Sequence, residues 1–375
     1  MKALITAGGR GTRLRPITNT INKHLIPIAG KPMLFYALEH LSNAGIKDIG
    51  ININIGEREL QPVIGDGKKW GVKITYREQT GGALGVAHIL RVWKDWVGDS
   101  DFVFYLGDNI ILGGVDKLIN KFKKDKVDAL LALSAVNDPQ RFGVPTIKNG
   151  KIIKVDEKPS RPASNFAVTG LYIYNKNIFK AVDKIKPSTR GELEISDAHT
   201  SLIEQGYKVG YEEITGWWKD TGKPEDLLEG NQLVLSSKFQ VSSFLPAGDP
   251  PQGDNFQKTA KKNIIIDKEV VIQGKVEIGK GTKIVGKSMI RGPVVIGENC
   301  VITDSYIAPF SSIGNNVEIY GAEIENSIVM DGADIHCRAR IVDSIIGSNV
   351  LITPKTETFP SGHKLIIGEN SAVEL

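Results

Sequence analysis

Cysteine is nearly missing from this chain: 375 residues carry two, Cys300 and Cys337, at a spacing that fits no metal-ligand motif. A disulfide framework is excluded, and so sparse a use of cysteine suits a reducing compartment. No apolar run approaches the roughly 20 residues needed to span a bilayer. The N-terminus runs straight into a strand-like segment, which leaves no room for a signal peptide. A dominant charge is missing as well. The net charge of +4 is too slight to indicate a general nucleic-acid binder, so local clusters of cations matter more. The expectation is a cytoplasmic protein that engages neither nucleic acid nor membrane. Its 41% hydrophobic and 24% charged residues describe a globular chain, and its length suits two domains.

Two familiar phosphate signatures are also missing from the opening stretch, KALITAGGRGTRLRPITNTINKHLIPIAGKP. The dinucleotide pattern GxGxxG needs a third glycine where Leu14 stands, and no Lys-Ser or Lys-Thr pair closes a P-loop. What is present is a short apolar run, Ala3 to Ile5, that reads as a buried strand. It feeds a loop carrying Gly8, Gly9 and Gly11, with Arg10, Thr12, Arg13 and Arg15 among them and Lys23 further on. Glycines let backbone amides approach an anion closely, and guanidinium forks match phosphate oxygens. The combination points to a polyphosphate site.

From residue 1 to about 237, apolar runs alternate with helical patterns. Phe35, Leu38, Leu41 and Ile46 lie at near-helical spacing before a strand-like run at 49–55. Val86, Ile89, Leu90 and Trp93 predict a second helix, and FVFYL at 102–106 another buried strand. Such alternation predicts an α/β domain with a mainly parallel, Rossmann-like sheet covered on both faces, whose ligands bind at the strands' carboxyl ends. A stretch at 238–262, rich in proline and glycine, reads as a linker. Beyond it Ile266, Ile272, Ile278, Ile284, Ile290, Ile296 and Ile302 recur every sixth residue. Four places after the first six stand Val270, Val276, Thr282, Ser288, Val294 and Cys300, all small or β-branched. One aliphatic and one small inward position per hexad is the hexapeptide repeat of a parallel β-helix, three hexads to a coil. The phase slips by one before Ile307 and again before Val329, which predicts altered corners. The domains expected are therefore 1–237, a linker at 238–262, and a β-helix at 263–375.

The loop pattern GGxGTRLxP, followed by Lys23 and Pro27, resembles the nucleotide loop of the sugar-phosphate nucleotidylyltransferases. Further motifs carry the resemblance over nearly the whole chain: LGDN at 106–109, RFGV at 141–144, EKP at 157–159, NFAVTGLYIY at 165–174, RGELEISD at 190–197 and WWKDTGKPEDLL at 217–228. Together they are similar to the long-form glucose-1-phosphate thymidylyltransferases, in which a left-handed β-helix follows the catalytic domain. The handedness comes from that resemblance. It implies a soluble enzyme, likewise expected to form a homo-oligomer, that joins dTTP to glucose 1-phosphate with Mg²⁺ and releases pyrophosphate.

The chemistry explains the residue types. A phosphate oxygen of the sugar phosphate attacks the α-phosphorus in line, so two polyanions must be positioned and neutralised. The resemblance assigns Asp108 and Asp220 to the metal, and Arg13 and Lys23 to the triphosphate beside Gly8, Gly9, Gly11 and Thr12. It assigns Lys158 and Arg190 to the sugar phosphate. Glu157, Gly143 and Val168 match positions that contact the hexose, with Tyr172 near, although Val168 and Tyr172 read equally as inward strand residues. Gln79 and Gly85 match the segment that reads the base, and a glutamine amide can both donate to and accept from a pyrimidine edge.

Two departures touch the nucleotide side: His24 stands where the family usually has glutamine, and Thr6 where leucine is common. Thymine differs from uracil by one methyl, worth roughly 1–3 kcal/mol in an apolar pocket. A UTP-using or dual-specificity enzyme, or one acting on another hexose 1-phosphate, therefore stays open. His40, His88 and His199 lie on helix-like stretches and read as packing or surface residues. An acyltransferase activity in the β-helix would need His336 or His363. A non-catalytic regulatory relative would be expected to lose catalytic charges that this chain retains.

Overall fold

The computed structural model describes residues 1–82, 84–214, 218–241 and 263–354. Most of the expected linker (242–262), the tail that contains His363, and Trp217 of the WWKDTG motif lie outside the described residues. By packing, the chain forms two compact units. The first comprises Met1–Arg10, Asn22–His24 and Met33–Asp220; the second comprises Gly11–Ile21, Leu25–Pro32 and Thr221–Leu375.

In chain order the main elements begin with β1 (Lys2–Thr6), a short hairpin of β2 (Pro27–Ile28) and β3 (Lys31–Pro32), α1 (Met33–Asn43), β4 (Asp48–Asn54) and α2 (Leu60–Ile64). There follow β5 (Lys73–Gln79), α3 (Val86–Val97), β6 (Phe102–Leu106), β7 (Asn109–Ile111), α4 (Asp116–Asp125) and β8 (Ala129–Ala135). Next come β9 (Gly143–Lys148), β10 (Lys151–Glu157), β11 (Phe166–Tyr174), α5 (Ile178–Lys184) and α6 (Ile195–Glu204). The series closes with β12 (Val209–Glu213), β13 (Trp218–Asp220) and α7 (Pro224–Phe239).

The first unit is built on a nine-stranded sheet whose main path runs β10-β9-β11-β6-β1-β4-β5. β1 is central and parallel to both neighbours, with Thr6 level with Asn52 of β4 and with Leu106 of β6. Ala3, Leu4 and Ile5 are wholly buried, as expected of a parallel strand covered on both faces. Past β6 the sense reverses: β11 runs antiparallel to β6, β8 and β9. The sheet is thus mixed, a parallel half joined to an antiparallel half. The β9–β10 hairpin that helps make the second half closes on Asn149-Gly150, both at positive φ, a pair suited to a two-residue hairpin turn. On α3, Trp93 packs close against β4 because position 50 is glycine; a methyl there would lie 2.4 Å from the indole ring.

In the second unit three parallel sheets of six, five and five strands stack coil upon coil, the arrangement of a left-handed β-helix. Ile284, Ile302, Ile319 and Ile335 face inward in register along one sheet, and Ile290, Ile307 and Ile324 along the next. The small residues of the repeat turn inward at the corners, where their hydroxyls hold the backbone. Thr282 Oγ1 donates to the Gly297 carbonyl at 2.8 Å and accepts from Cys300 N at 3.0 Å. Asn and Asp recur at the bends with positive φ (Asn299, Asp304, Asn316, Asn326, Asp343, Asn349), since their short polar side chains tolerate the left-handed region. The slip before Ile307 is a corner shortened to five residues. The second slip is two successive short corners, either side of Ile324. Asn231 of α7, fully buried, joins the hairpin and coils of the same unit. Its Oδ1 accepts from Ala29 N (2.8 Å) and Ser312 Oγ (2.6 Å), and its Nδ2 donates to the Phe310 carbonyl (2.7 Å).

Ile302 is wholly buried between coils, whereas Lys283 points outward. Ile302→Ala is expected to cost about 2–5 kcal/mol and Lys283→Ala within about 0.5 kcal/mol. Urea unfolding of the two variants checks this, and equal losses would contradict the inward ladder.

Candidate active site

Because β1 and β6 end level, the loops that follow them start side by side, and Gly107 N donates to the Thr6 carbonyl at 2.9 Å. The first loop carries Gly8 and Gly9, the second Asp108. Lys23 lies against Gly9, where a methyl would stand 2.7 Å from its Cε and 3.1 Å from its Nζ. Its ammonium pairs with Asp108 Oδ2, and both side chains are largely buried. Burial by itself would push the Asp108 carboxyl up. The adjacent Lys23 charge overrides that and holds it well below the usual carboxylate range, so Asp108 is ionised at neutral pH.

Asn109 braces this carboxylate. Its Oδ1 accepts from the Trp218 indole at 2.6 Å and from Gly170 N at 3.3 Å, which leaves its Nδ2 to donate to Asp108 Oδ1 at 2.9 Å. Asp220 does not end a strand of the main sheet; it closes β13, which pairs antiparallel with β7 and sets Asp220 level with Asn109. Burial raises the Tyr172 phenol far above its ordinary value, and the charges of Glu157, Asp108 and Asp220 all add to that rise. Carboxylate oxygens without thiolate are the donor set of a hard divalent cation, so Asp108 and Asp220 fit Mg²⁺ chemically.

The residues expected at the sugar converge on neighbouring strands. Gly143 pairs with Glu157 on one side and with Val168 on the other. Glu157 Oε2 accepts from Ser196 Oγ at 2.7 Å, while its Oε1 lies 3.4 Å from Arg190 Nη2 and 3.5 Å from Lys158 Nζ. Arg190 is also bound to Glu194 at 2.8 Å. Lys158 takes a left-handed backbone (φ 45°) before Pro159, and its N–H donates to the Phe142 carbonyl at 2.9 Å. Val168 and Tyr172 are buried in the core, so the packing reading of both holds.

Gln79 ends β5, and its side chain bonds to Asn52 and to the Gly82 carbonyl. Gly85 has φ 93°, and a methyl there would meet the Leu193 carbonyl oxygen at 2.5 Å; a close backbone crossing demands glycine at this position. Gly11, Thr12 and Arg13 belong to the second unit. There Gly11 (φ 60°) opens a 3₁₀ turn over Thr12–Leu14, its carbonyl accepts from Thr18 Oγ1 at 2.7 Å, and the Arg13 guanidinium lies over Gly222.

Of the two departures, Thr6 holds the level ends of β1 and β6. His24 is a buried neutral imidazole, brought down to about 3 by burial and by Lys23 beside it. Asn22 gives its Nδ2 to Glu57, so its Oδ1 faces His24 and receives both the backbone N–H and Nδ1. His336 is outward and half-exposed, paired with Asp334 at 2.9 Å. Sequence reasoning passed over Asn109, Trp218, Ser196 and Asn52. The first three stood inside quoted motifs; Asn52 is marked only as a polar residue within the alternating run ININI at 51–55.

His199 is wholly buried, with Nε2 2.6 Å from the Tyr174 hydroxyl, and burial brings it down to about 3 from 6.5. Between those values the folded state holds fewer protons than the unfolded one, so stability falls as pH drops through that window, by up to about 1.4 kcal/mol per pH unit. Urea midpoints between pH 7 and 4 are expected to show this slope, and His199→Gln to reduce it to the share that the likewise buried His24 contributes. An unchanged slope in the variant would contradict the assignment.

A family model described as nucleotidyl transferase matches residues 2–237. A low-salt glycan biosynthesis nucleotidyltransferase, Agl11, of Haloferax volcanii is 41% identical over 378 residues and covers all of both chains. A glucose-1-phosphate thymidylyltransferase of Streptomyces antibioticus is 40% identical over 377 residues, covering 100% of this chain and 99% of its own. A solved structure from Bacillus anthracis, a candidate glucose-1-phosphate thymidylyltransferase in complex with sucrose, is 41% identical with a TM-score of 0.58. It covers 62% of this chain and 94% of its own.

Proposed function

This chain belongs to the nucleotidyl transferase family, and we propose that it transfers the thymidylyl group of dTTP to glucose 1-phosphate, giving dTDP-glucose and pyrophosphate. The observation that carries this reading is the Lys23–Asp108 pair seated on Gly9 where β1 and β6 end level. A cation, a carboxylate and an open glycine loop meet there, as a triphosphate and its metal require. The full-length likeness to the Streptomyces thymidylyltransferase supports the choice of dTTP and glucose 1-phosphate.

In the proposed reaction a phosphate oxygen of the sugar phosphate forms a bond to the α-phosphorus, and the bond from that phosphorus to the bridging oxygen breaks to release pyrophosphate. Both substrates arrive ionised, so no residue need remove a proton. Lys23 neutralises the triphosphate and the charge that develops on the leaving group. Asp108 and Asp220 would hold Mg²⁺, which supplies charge stabilisation along the triphosphate when bound. Asn109 keeps the Asp108 carboxylate turned to that task. Lys158 and Arg190 bind the sugar phosphate and offset the repulsion between two anions. Glu157, held by Ser196, accepts from sugar hydroxyls, and Gly143 leaves room for the Ser196 hydroxyl, which a methyl there would meet at 2.6 Å.

Pyrophosphate release with Mg²⁺ tests the proposal, crossing dTTP, UTP, ATP, CTP and GTP with several sugar 1-phosphates. Preference for dTTP with glucose 1-phosphate is the expected result. Equal use of UTP or of another hexose would keep the reaction and correct the substrate, and no release with any pair would defeat it. Asp220→Asn is expected to lower kcat by about a hundredfold or more. Lys158→Ala is expected to raise KM for the sugar phosphate, and an effect confined to the nucleotide would reverse the two substrates.

A further inference from the structure

A directional chain of hydrogen bonds runs behind the glycine loop. The Trp93 indole Nε1 donates to Asn52 Oδ1 at 3.1 Å, Asn52 Nδ2 donates to Gln79 Oε1 at 3.2 Å, and Gln79 Nε2 donates to the Gly82 carbonyl at 3.1 Å. Asn52 and Trp93 are fully buried and Gln79 is 9% exposed. Amide orientations are often ambiguous, but here both ends of the chain are chemically fixed. An indole N–H can only donate and a backbone carbonyl can only accept, so each amide between them has one orientation that satisfies every link. The starting donor is itself immobile. Gly50 leaves room for its ring, Trp96 stands edge-on at 5.1 Å, and the Arg77 guanidinium lies 5.0 Å from the ring centre. The relay also borders the loop: Ala7 N donates to the Asn52 carbonyl at 2.7 Å, and a methyl on Gly8 would lie 3.5 Å from Asn52 Nδ2.

We infer that Asn52 is a positioning residue that fixes which end of the Gln79 amide meets the nucleobase, and thereby sets the preference for thymine or uracil over cytosine. This rests on the reading of Gln79 as the residue that meets the base. The relay uses one Nε2 proton and one Oε1 lone pair of Gln79; the second of each can serve a pyrimidine edge. With the order fixed, the amide oxygen accepts from a protonated N3 and the amide nitrogen donates to the carbonyl at O4. Cytosine presents the opposite pair, an acceptor at N3 and a donor at C4. Reversing the Gln79 amide would therefore exchange the bases it suits, without altering any residue that touches the phosphates.

Asn52→Asp drives that reversal, because its carboxylate competes with the neutral Gly82 carbonyl for Gln79 Nε2 and charge-assisted hydrogen bonds are the stronger. One carboxylate oxygen still accepts from Trp93, while the other repels Gln79 Oε1 and draws Gln79 Nε2 toward itself. In full-length protein with glucose 1-phosphate and Mg²⁺, the ratio of kcat/KM for dTTP to that for CTP is expected to fall by about tenfold or more. The change should lie mainly in nucleotide KM, and UTP should follow dTTP. A merely structural role would lower turnover with all three nucleotides alike and leave the ratio untouched. Trp93→Phe removes the donor that orients Asn52 and should lower the same ratio by a smaller factor; it decides the matter if Asn52→Asp gives no cooperative thermal melt. An unchanged ratio in a folded variant, with wild-type protein using dTTP, overturns this inference alone. Wild-type protein that accepts only purine triphosphates overturns the proposed function, and this inference with it.

Discussion

Neither Lys23 nor Asp108 could be buried alone. An unpaired charge in the interior costs several kcal/mol, and a buried pair is tolerable only when geometry and further hydrogen bonds satisfy both partners. Much of the first unit serves that condition. β1 and β6 must end level for the lysine and the carboxylate to meet; position 9 must be glycine for the lysine stem to pass; Asn109 must be held by Trp218 and Gly170 so that its amide turns to Asp108. The same arrangement that makes the pair bearable leaves an ionised carboxylate and a cation at the carboxyl ends of parallel strands, where sheets of this kind bind their ligands.

Around this pair the buried polar side chains form short, fully directed networks. Trp93, Asn52 and Gln79 make one, and Ser196 with Glu157 makes another. Each begins or ends on a group with a single hydrogen-bonding role, and this makes its orientation definite. A low-dielectric interior rewards such completeness and penalises any missing partner. The antiparallel half of the sheet performs the complementary task. By bringing β9, β10 and β11 side by side it sets Gly143, Glu157 and Val168 in a row that no stretch of sequence contains.

The β-helix obeys a simpler rule, since each coil pairs only with its neighbours and repeats the demand for an aliphatic residue facing the axis. That demand is local enough to survive, among the described residues, four steps shortened to five residues, before Ile307, Ile324, Val329 and Ile346, without losing the ladder. Where a corner loses a residue, the strand keeps its inward isoleucine and the bend absorbs the change. This is why the hexad could be read directly from residues 266 to 302, and why the slips around Ile324 were seen only as a broken phase.

Periodicity and motif spacing were enough to indicate the α/β unit, the stacked coils and the glycine loop, because each is a local property of the chain; the two aspartates were singled out by the family resemblance of their motifs. Helices at 33–43 and 86–97 and strands at 48–54 and 102–106 appeared where apolar spacing placed them. Tertiary structure decided what depends on partners distant in sequence. Pairing across the sheet reversed β11 and mixed its two halves, and a two-stranded sheet rather than the main one carried Asp220 to Asn109. Burial made His24 a neutral structural imidazole and turned Asn52 from one polar residue among isoleucines into a link in a directed chain. Side-chain identity states what a residue can donate or accept; only the groups that fold around it determine which of those capacities it can use.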